Sequence, residues 1–210
     1  IWFYCGVIGD GPGSVTVEHR ERMPGARWFP GAKVNYAQQV LRHVEAAHAA
    51  GMLAVISNNE KGQRRELSWP ELKRQAAALS LHLQAQGVQP GDRVAAYMPN
   101  IAETMVAFLA VVSIGGIWSV CAPDMGTNAV VDRFKQITPK VLIGVDGVTY
   151  GGKDHERISV VHELRAALPS VTHVVLYQNL GGLPPLADST DWGAVMQGQD
   201  AAIEAFEPKW

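Results

Sequence analysis

Several polar stretches directly follow apolar runs in this sequence, and they carry the side chains most able to do chemistry. They are Asn100 with Glu103, Asp124, Asp146, and the run Tyr150, Gly151, Gly152, Lys153. Two successive glycines let backbone N–H groups approach a phosphate, and Lys153 adds a point charge, so this run predicts anion binding. The same lysine has the alternative of being a solvated loop cation, and both interpretations stay open.

The other candidates each have a structural alternative. Asn100 and Glu103 stand at capping-box spacing, so they indicate the start of a helix. Asp124 either contacts a ligand or satisfies backbone donors in the turn before the next helix. The sequence contains no GxxxxGK[ST] loop, GxSxG elbow, HExxH motif or CxxC pair, and its seven histidines are scattered. The residues alone therefore predict no catalytic residue and no metal site.

Parallel strands are needed to bring these polar stretches together. Short apolar runs at Val94–Met98, Ile117–Cys121 and Val141–Val145 alternate with helical patterns, which is typical of parallel strands joined by crossover helices. Ligands of such open sheets bind in the crevice beyond the carboxyl ends of the strands. The sequence therefore predicts an α/β fold, in which crossover helices cover both faces of a parallel sheet and the candidate residues lie at one edge.

The first crossover helix is predicted to stop at Gly115 and Gly116, and the second to run from about Thr127 to Thr138 before Pro139. One competing interpretation concerns Thr104 to Ala122, which has no charged residue and is long enough to span a bilayer. The paired glycines in its middle and the β-branched residues after them favour a soluble helix followed by a strand.

Residues 1–50 are predicted to form an N-terminal arm and a helix from Asn35 to about Ala50. Trp28 and Phe29 are expected to anchor the arm on the main body. The run Val7–Ser14 is rich in glycine, but its spacing is not that of a dinucleotide-binding loop, so it predicts a surface loop.

Residues 51–180 are predicted to form the α/β subdomain, and residues 181–210 a linker. Met52–Ile56 and Arg65–Trp69 indicate a hairpin, and Val171–Tyr177 a further strand. Two more helix starts are predicted from capping residues, namely Ser68 with Glu71, and Ser159.

Composition narrows the class of protein. The chain has 210 residues, of which 47% are hydrophobic, and a net charge of −2 without basic clusters. This is no footprint for nucleic acid or an anionic membrane, so neither is an expected partner. Cys5 and Cys121 do not suggest a disulfide framework, and Cys121 is expected to be a buried thiol in a cytoplasmic protein. The chain opens with Ile1 rather than Met, which indicates a trimmed N-terminus.

Several longer stretches resemble a known family. They are MPGARWFPGAKVNYAQQVLRH, ELSWPELKRQAAALSLHLQAQGVQPGDRVAAYMPN, SIGGIWSVCAPDMGTNAVVDRFKQITPKVLIGVDGVTYGGK and SVTHVVLYQN. Their PGDRVAAYMPN and GGIWSVCAPD patterns are similar to those of the adenylate-forming superfamily. The combination of WFPGAKVNYA, IWSVCAPDMG and DRFKQITPKVL resembles the N-terminal part of its acetoacetate–CoA ligase branch.

The resemblance implies a two-step reaction in the parent enzyme. The carboxylate of acetoacetate attacks ATP to give an acyl-adenylate and pyrophosphate, and coenzyme A then displaces AMP, with Mg²⁺ neutralising phosphate charge. The family's Ser/Thr/Gly-rich phosphate loop is expected beyond Trp210, within a larger N-terminal domain. The chain is therefore expected to be an inactive N-terminal fragment that requires none of these cofactors by itself. The alternative is a standalone nucleotide- or coenzyme A-binding module.

The resemblance also assigns ligand contacts. Gly151, Gly152 and Lys153 occupy the place of a small-Gly-Arg pattern that contacts the phosphates of coenzyme A in acetyl-CoA synthetase relatives. A lysine here replaces the bidentate arginine fork by a point charge. Asp124 matches a second loop near coenzyme A, which is glycine-rich in those relatives. Surface left uncovered in a fragment makes self-association an expected property.

Overall fold

The computed structural model describes residues 2–11, 13–184, 186–197 and 200–208. Its strands are β1 (Val17–Glu18), β2 (Arg27–Trp28), β3 (Leu53–Asn58), β4 (Arg64–Ser68), β5 (Arg93–Tyr97), β6 (Ile117–Cys121), β7 (Val141–Val145), β8 (Gly147–Tyr150), β9 (Lys153–Glu156), β10 (His173–Tyr177) and β11 (Thr190–Asp191). Its helices are α1 (Tyr36–Leu41), α2 (Val44–Ala49), α3 (Trp69–Ala85), α4 (Ala102–Ser113), α5 (Thr127–Ile137), α6 (Ile158–Ala167), α7 (Trp192–Met196) and α8 (Asp200–Glu204).

The central element is a five-stranded sheet in the order β11-β10-β7-β5-β6. Every neighbouring pair in it is parallel. The predicted strands at 117–121 and 141–145 have the predicted limits, and the one before them begins one residue earlier, at Arg93. The predicted α/β class with a parallel sheet is confirmed.

Helices cover both faces of the sheet, and β5 shows how. Its alternate residues Val94 and Ala96 pack in one cluster with residues of α3 and α4, whereas Ala95 and Tyr97 pack with residues of α5 and α6. All four are at most 1% exposed. Burial on both faces is the reason why this strand reads as a continuous apolar run instead of alternating.

The stretch 104–122 folds as most of α4 followed by β6, so the helix-plus-strand prediction is confirmed. Gly115 adopts a φ of 73° and its N–H donates to the carbonyl of Val112, while the N–H of Gly116 donates to Val111. These two bonds form a Schellman motif, which terminates the helix. In the described part of the chain, no helix has the length and apolarity needed to cross a membrane.

Of the helix caps predicted at Ser68 and Ser159, the first is confirmed and the second is wrong. Ser68 Oγ accepts from the N–H of Glu71, so the cap of α3 is confirmed, whereas the Glu71 carboxylate pairs with Arg74 instead of closing a capping box. The Arg74 hydrogen bond holds the pKa of Glu71 below its usual range. The prediction for Ser159 is wrong, because its N–H instead donates to the carboxylate of Glu156.

The N-terminal region differs from its prediction in two ways. The helix expected from Asn35 to Ala50 is broken at Arg42 and His43, because α1 packs on α4 while α2 turns to pack on α3. The anchoring role predicted for Trp28 is wrong, since this residue is 66% exposed and its ring contacts Phe29 of the same arm in a tilted arrangement. Phe29 also contacts Trp2, so its ring contacts lie within the N-terminal region. Arg42 instead holds the arm by donating to backbone carbonyls of Cys5 and Gly6. Residues 7–14 form neither helix nor strand, with Pro12 outside the described residues.

Residues expected to belong to a linker are part of the packed domain. β11 pairs with β10, and Trp192 of α7 is 4% exposed within the cluster formed with α3 and α4. Ile203 and Phe206 join the same cluster. The predicted hairpin, by contrast, is confirmed as the antiparallel pair β3–β4.

Candidate functional site

A groove crosses the carboxyl ends of the central strands. From β5 the chain crosses to β6 on one side, and it then passes β5 again to reach β7 on the other side. In open α/β sheets, such a reversal of strand order leaves a crevice beyond the strand ends, where ligands bind. Here the loop of residues 99–101 after β5 faces the β8–β9 hairpin after β7 across this crevice.

The first branch of the groove has a volume of about 410 Å³. The residues lining it come from the loops after β5 and β6 and from the β8–β9 region: Pro99, Asn100, Ala122, Pro123, Asp124, Val148, Thr149, Tyr150, His155 and Arg157. The structure thus brings the predicted residues Asn100 and Asp124 to one cavity. Sequence reasoning missed His155 and Arg157, because no motif marks them and only the hairpin fold returns them to the strand ends.

Two hydrogen bonds fix the loop that carries Asp124. The carbonyl of Pro123 accepts from Tyr97 Oη at 2.8 Å and from Arg157 Nε at 2.9 Å. Burial raises the pKa of Tyr97, so its hydroxyl remains a donor at neutral pH. The guanidinium of Arg157, together with exposed Asp124, gives this branch a cation and an anion on adjacent walls.

The Gly151–Gly152 pair forms the two-residue turn of the β8–β9 hairpin, in which Tyr150 pairs with Lys153. Both glycines have positive φ, 59° and 74°, a conformation that side chains disfavour. The predicted loop is therefore a tight hairpin turn. Its neighbour Tyr150 lines the first branch, whereas the two glycines and Lys153 lie exposed at the hairpin tip and are not among the lining residues.

The second branch also has a volume of about 410 Å³ and shares Pro99, Asn100, Val148 and Thr149 with the first. Its further lining residues are Asn58, Asn59, Glu60, Lys61, Gln63, Ile101, Asn179 and Leu180. Five side-chain amides are therefore concentrated in this branch. Amides both donate and accept hydrogen bonds, so this wall suits a polar ligand.

The capping role predicted for Asn100 and Glu103 is wrong. The N-cap position of α4 is occupied by Ile101, which makes no side-chain hydrogen bond to the helix. Glu103 is only 2% exposed and forms an ion pair with Arg65 of β4, which also donates to Tyr177 Oη at 3.2 Å. A buried carboxylate requires such a partner, so tertiary packing has overridden the local pattern. The pair ties β4 to α4 beside the groove.

The turn residue Asp146 has a structural role at the end of β7. It is fully buried, and its carboxylate accepts from the backbone N–H groups of Asn179, Leu180 and Gly181 at 2.7, 3.0 and 2.9 Å. Asn179 and Leu180 line the second branch. Asp146 therefore holds the loop after β10 in place as one wall of the groove.

Besides the carboxylates of Asp124 and Glu60, the groove offers cations, amides and backbone donors, and its described lining residues include no nucleophile with its base. Within the ranges that the structure describes, no three His, Cys, Asp or Glu residues come close enough together to hold a metal ion. The buried Cys121 thiol has its pKa raised by burial, which keeps it protonated and unreactive. The chemistry present is that of binding a polar ligand through hydrogen bonds and charges of both signs.

The fold and groove define an open α/β domain whose ligand crevice lies where the strand order reverses. A family model described as AMP-binding enzyme matches residues 41–205. The chain therefore belongs to the AMP-binding enzyme family, and the resemblance to the adenylate-forming superfamily is confirmed.

Individual relatives narrow the comparison. The acetoacetyl-coenzyme A synthetase of Rhizobium meliloti is 38% identical over 205 residues, which cover 98% of this chain and 30% of that protein. The malonamoyl-CoA synthetase of Penicillium aethiopicum is 35% identical, covering 87% of this chain and 25% of that protein. The solved structure of acetoacetyl-CoA synthetase from Streptomyces lividans matches with a TM-score of 0.88 and 40% identity, covering 100% of this chain and 31% of that one. The chain thus spans less than a third of the length of these relatives.

Proposed function

We propose that this chain is the N-terminal part of an ATP-dependent acetoacetate–CoA ligase of the cytoplasm. The parent enzyme would convert acetoacetate and ATP to an acyl-adenylate and pyrophosphate, and then transfer the acyl group to coenzyme A with release of AMP. The observation that carries the proposal is the 38% identity over 98% of this chain with a protein named acetoacetyl-coenzyme A synthetase.

Within that enzyme, the contribution proposed for this chain is to hold coenzyme A. The turn Gly151–Gly152 presents backbone N–H groups free of side chains, and Lys153 adds a positive charge beside them, so the hairpin tip suits a phosphate. Lysine attracts a phosphate without fixing its orientation, because it lacks the planar fork of arginine. Asp124 and Arg157, which line the first branch, would then contact the neutral or hydrogen-bonding part of the ligand.

ATP and Mg²⁺ are proposed as cofactors of the parent enzyme only. The Ser/Thr/Gly-rich phosphate loop that the resemblance implies is not found in the 210 residues, and the described ones bring no three metal-ligating side chains together. We therefore expect no acetoacetate-dependent exchange of pyrophosphate into ATP by the 210-residue chain. Measurable exchange would contradict this division of roles.

Calorimetric titration with coenzyme A tests the proposed contact. Replacing Lys153 by Met should weaken binding about fivefold, the effect of losing one charge about 4 Å from a phosphate in water. The matched control is Lys135→Met, which removes another exposed lysine, on α5. Equal affinities of the Lys153 variant and the control would argue against a phosphate at the hairpin tip.

A standalone coenzyme A-binding module is the second candidate, and the family match over 41–205 is compatible with it. The two are separated by joining the chain to the remaining length found in its relatives. Restored ligase activity supports a part of a ligase, whereas coenzyme A binding without any activity supports the module.

Self-association is proposed through the free edge of β6. This strand pairs only with β5 in the described sheet, and Ile117 and Val120 are 50% and 44% exposed. An apolar edge strand is a template for pairing with another chain. A monomer at every concentration in light scattering would contradict this proposal.

A further inference from the structure

Two hairpin tips meet at the mouth of the groove, although about ninety residues separate them in the chain. The N–H of Gly152, in the β8–β9 turn, donates to Glu60 Oε2 in the β3–β4 turn at 2.9 Å. Beside this bond, Lys61 Nζ lies 2.9 Å from Asp154 Oδ1. We call these four residues the clasp.

Further hydrogen bonds within each hairpin hold the residues of the clasp in place. Asn59 Oδ1 accepts from the backbone N–H groups of Lys61 and Gln63, at 3.1 and 3.0 Å, which fixes the tip that carries Glu60. On the other hairpin, Thr149 Oγ1 donates to Asp154 at 2.6 Å. The hydrogen bonds from Lys61 and Thr149 hold the pKa of Asp154 below its usual range, so the ion pair persists at neutral pH.

A carboxylate oxygen therefore occupies a backbone donor of the turn proposed to bind a phosphate. In a two-residue turn the ladder pairs the flanking residues, here Tyr150 and Lys153, and the central N–H of Gly152 is left for another acceptor. Carboxylate and phosphate oxygens are both anionic acceptors of backbone N–H groups. Given the proposed phosphate contact at this turn, we infer that Glu60 is a built-in competitor of the anionic ligand, and that ligand binding opens the clasp.

The competition has a predictable size. A phosphate that binds at Gly152 must displace the Glu60 carboxylate and then lie close to its negative charge. Two like charges about 4 Å apart in water cost roughly fivefold in affinity. Removing the charge by Glu60→Gln should therefore tighten coenzyme A binding about fivefold at low salt. The gain should shrink as ionic strength rises, because salt screens exposed charges.

Calorimetry with coenzyme A compares this variant with a matched control. Glu66→Gln removes the same charge from the same hairpin, but the Glu66 carboxylate pairs with Arg64 at 2.7 Å instead of reaching Gly152. Lys61→Met breaks the ion pair of the clasp without removing the competing anion. We expect tighter binding for Glu60→Gln alone. Equal tightening by Glu66→Gln or Lys61→Met would overturn the inference, because general charge or loosening of the hairpin would then explain it.

The amide resonance of Gly152 tests the contact without any ligand. At neutral pH its chemical shift should differ between the wild-type protein and Glu60→Gln, because the charged acceptor of the Gly152 N–H is removed, and it should be the same in the wild-type protein and Glu66→Gln. Equal shift changes in the two variants would overturn the inference. Coenzyme A binding that depends on Lys153 but is equal in wild type and Glu60→Gln overturns the competition and leaves the proposed function standing. Absence of binding by both proteins overturns the phosphate site and the competition together.

Discussion

The carboxylate of Asp146 is expected to contribute more to stability than any exposed charge near the groove. It is fully buried and accepts from three backbone N–H groups, at 2.7, 3.0 and 2.9 Å. Replacing Asp146 by Ala would leave these three donors without their acceptor. Each buried unsatisfied donor costs about 1–3 kcal/mol, and the loop of residues 179–181 can relax partly into solvent. We therefore expect the free energy of unfolding to fall by about 3–5 kcal/mol.

The substitution Asp146→Asn refines this estimate. Its remaining carbonyl oxygen can keep the bonds to Asn179 and Leu180, while its amide NH₂ faces the N–H of Gly181 as a second donor. One donor is then lost instead of three, so the expected cost is about 1–3 kcal/mol.

Urea unfolding followed by circular dichroism and tryptophan fluorescence measures both changes, provided that the slope m is unaltered. Asp132→Ala is the control, since Asp132 is exposed on α5 and its replacement should change stability by no more than about 0.5 kcal/mol. A loss below about 1 kcal/mol for Asp146→Ala, at unchanged m, would refute the view that this carboxylate holds the groove wall.

Three further predictions follow from other buried groups. Arg65→Met strands the carboxylate of Glu103 in the interior, so stability should fall by about 3–5 kcal/mol, and adding Glu103→Gln should recover part of the loss in the same urea assay. His82 and His173 approach with their Nε2 atoms 2.9 Å apart, and burial lowers the pKa of each below 6.5. The unfolded chain therefore binds more protons than the folded one, and stability should fall as pH drops below about 6.5. Urea midpoints measured at about pH 7.5 and about pH 5 check this, and the difference between the two midpoints should be smaller in His82→Phe. Burial raises the pKa of Cys121, so in a Cys5→Ser background, which removes the exposed thiol, a thiol reagent should modify Cys121 only as the protein unfolds, and modification in the folded state would contradict its burial.

The candidate site was only partly predictable. Asn100 and Asp124 were placed correctly at the strand ends, because the carboxyl ends of parallel strands must lie at one edge of their sheet. The roles of Asn100 and Glu103 were not, since their capping-box spacing describes local geometry and ignores Arg65, which lies 38 residues away in the chain. The break at Arg42 was missed for a similar reason, because α1 and α2 pack on different helices.

Local pattern was sufficient for the parallel strands, most of the crossover helices and the glycine stop at Gly115. A strand buried on both faces requires a continuous apolar run, and a helix end favours particular residues. Both therefore produce sequence patterns among neighbouring positions of the chain. The distant partners of Glu60, Glu103 and Asp146 were decided by tertiary structure alone. Glu60 and Gly152 are 92 residues apart, and Asp146 and Gly181 are 35 apart. The hydrophobic periodicity of the sequence does not predict such pairs, because each hydrogen bond depends on how elements that are distant in the chain pack against one another.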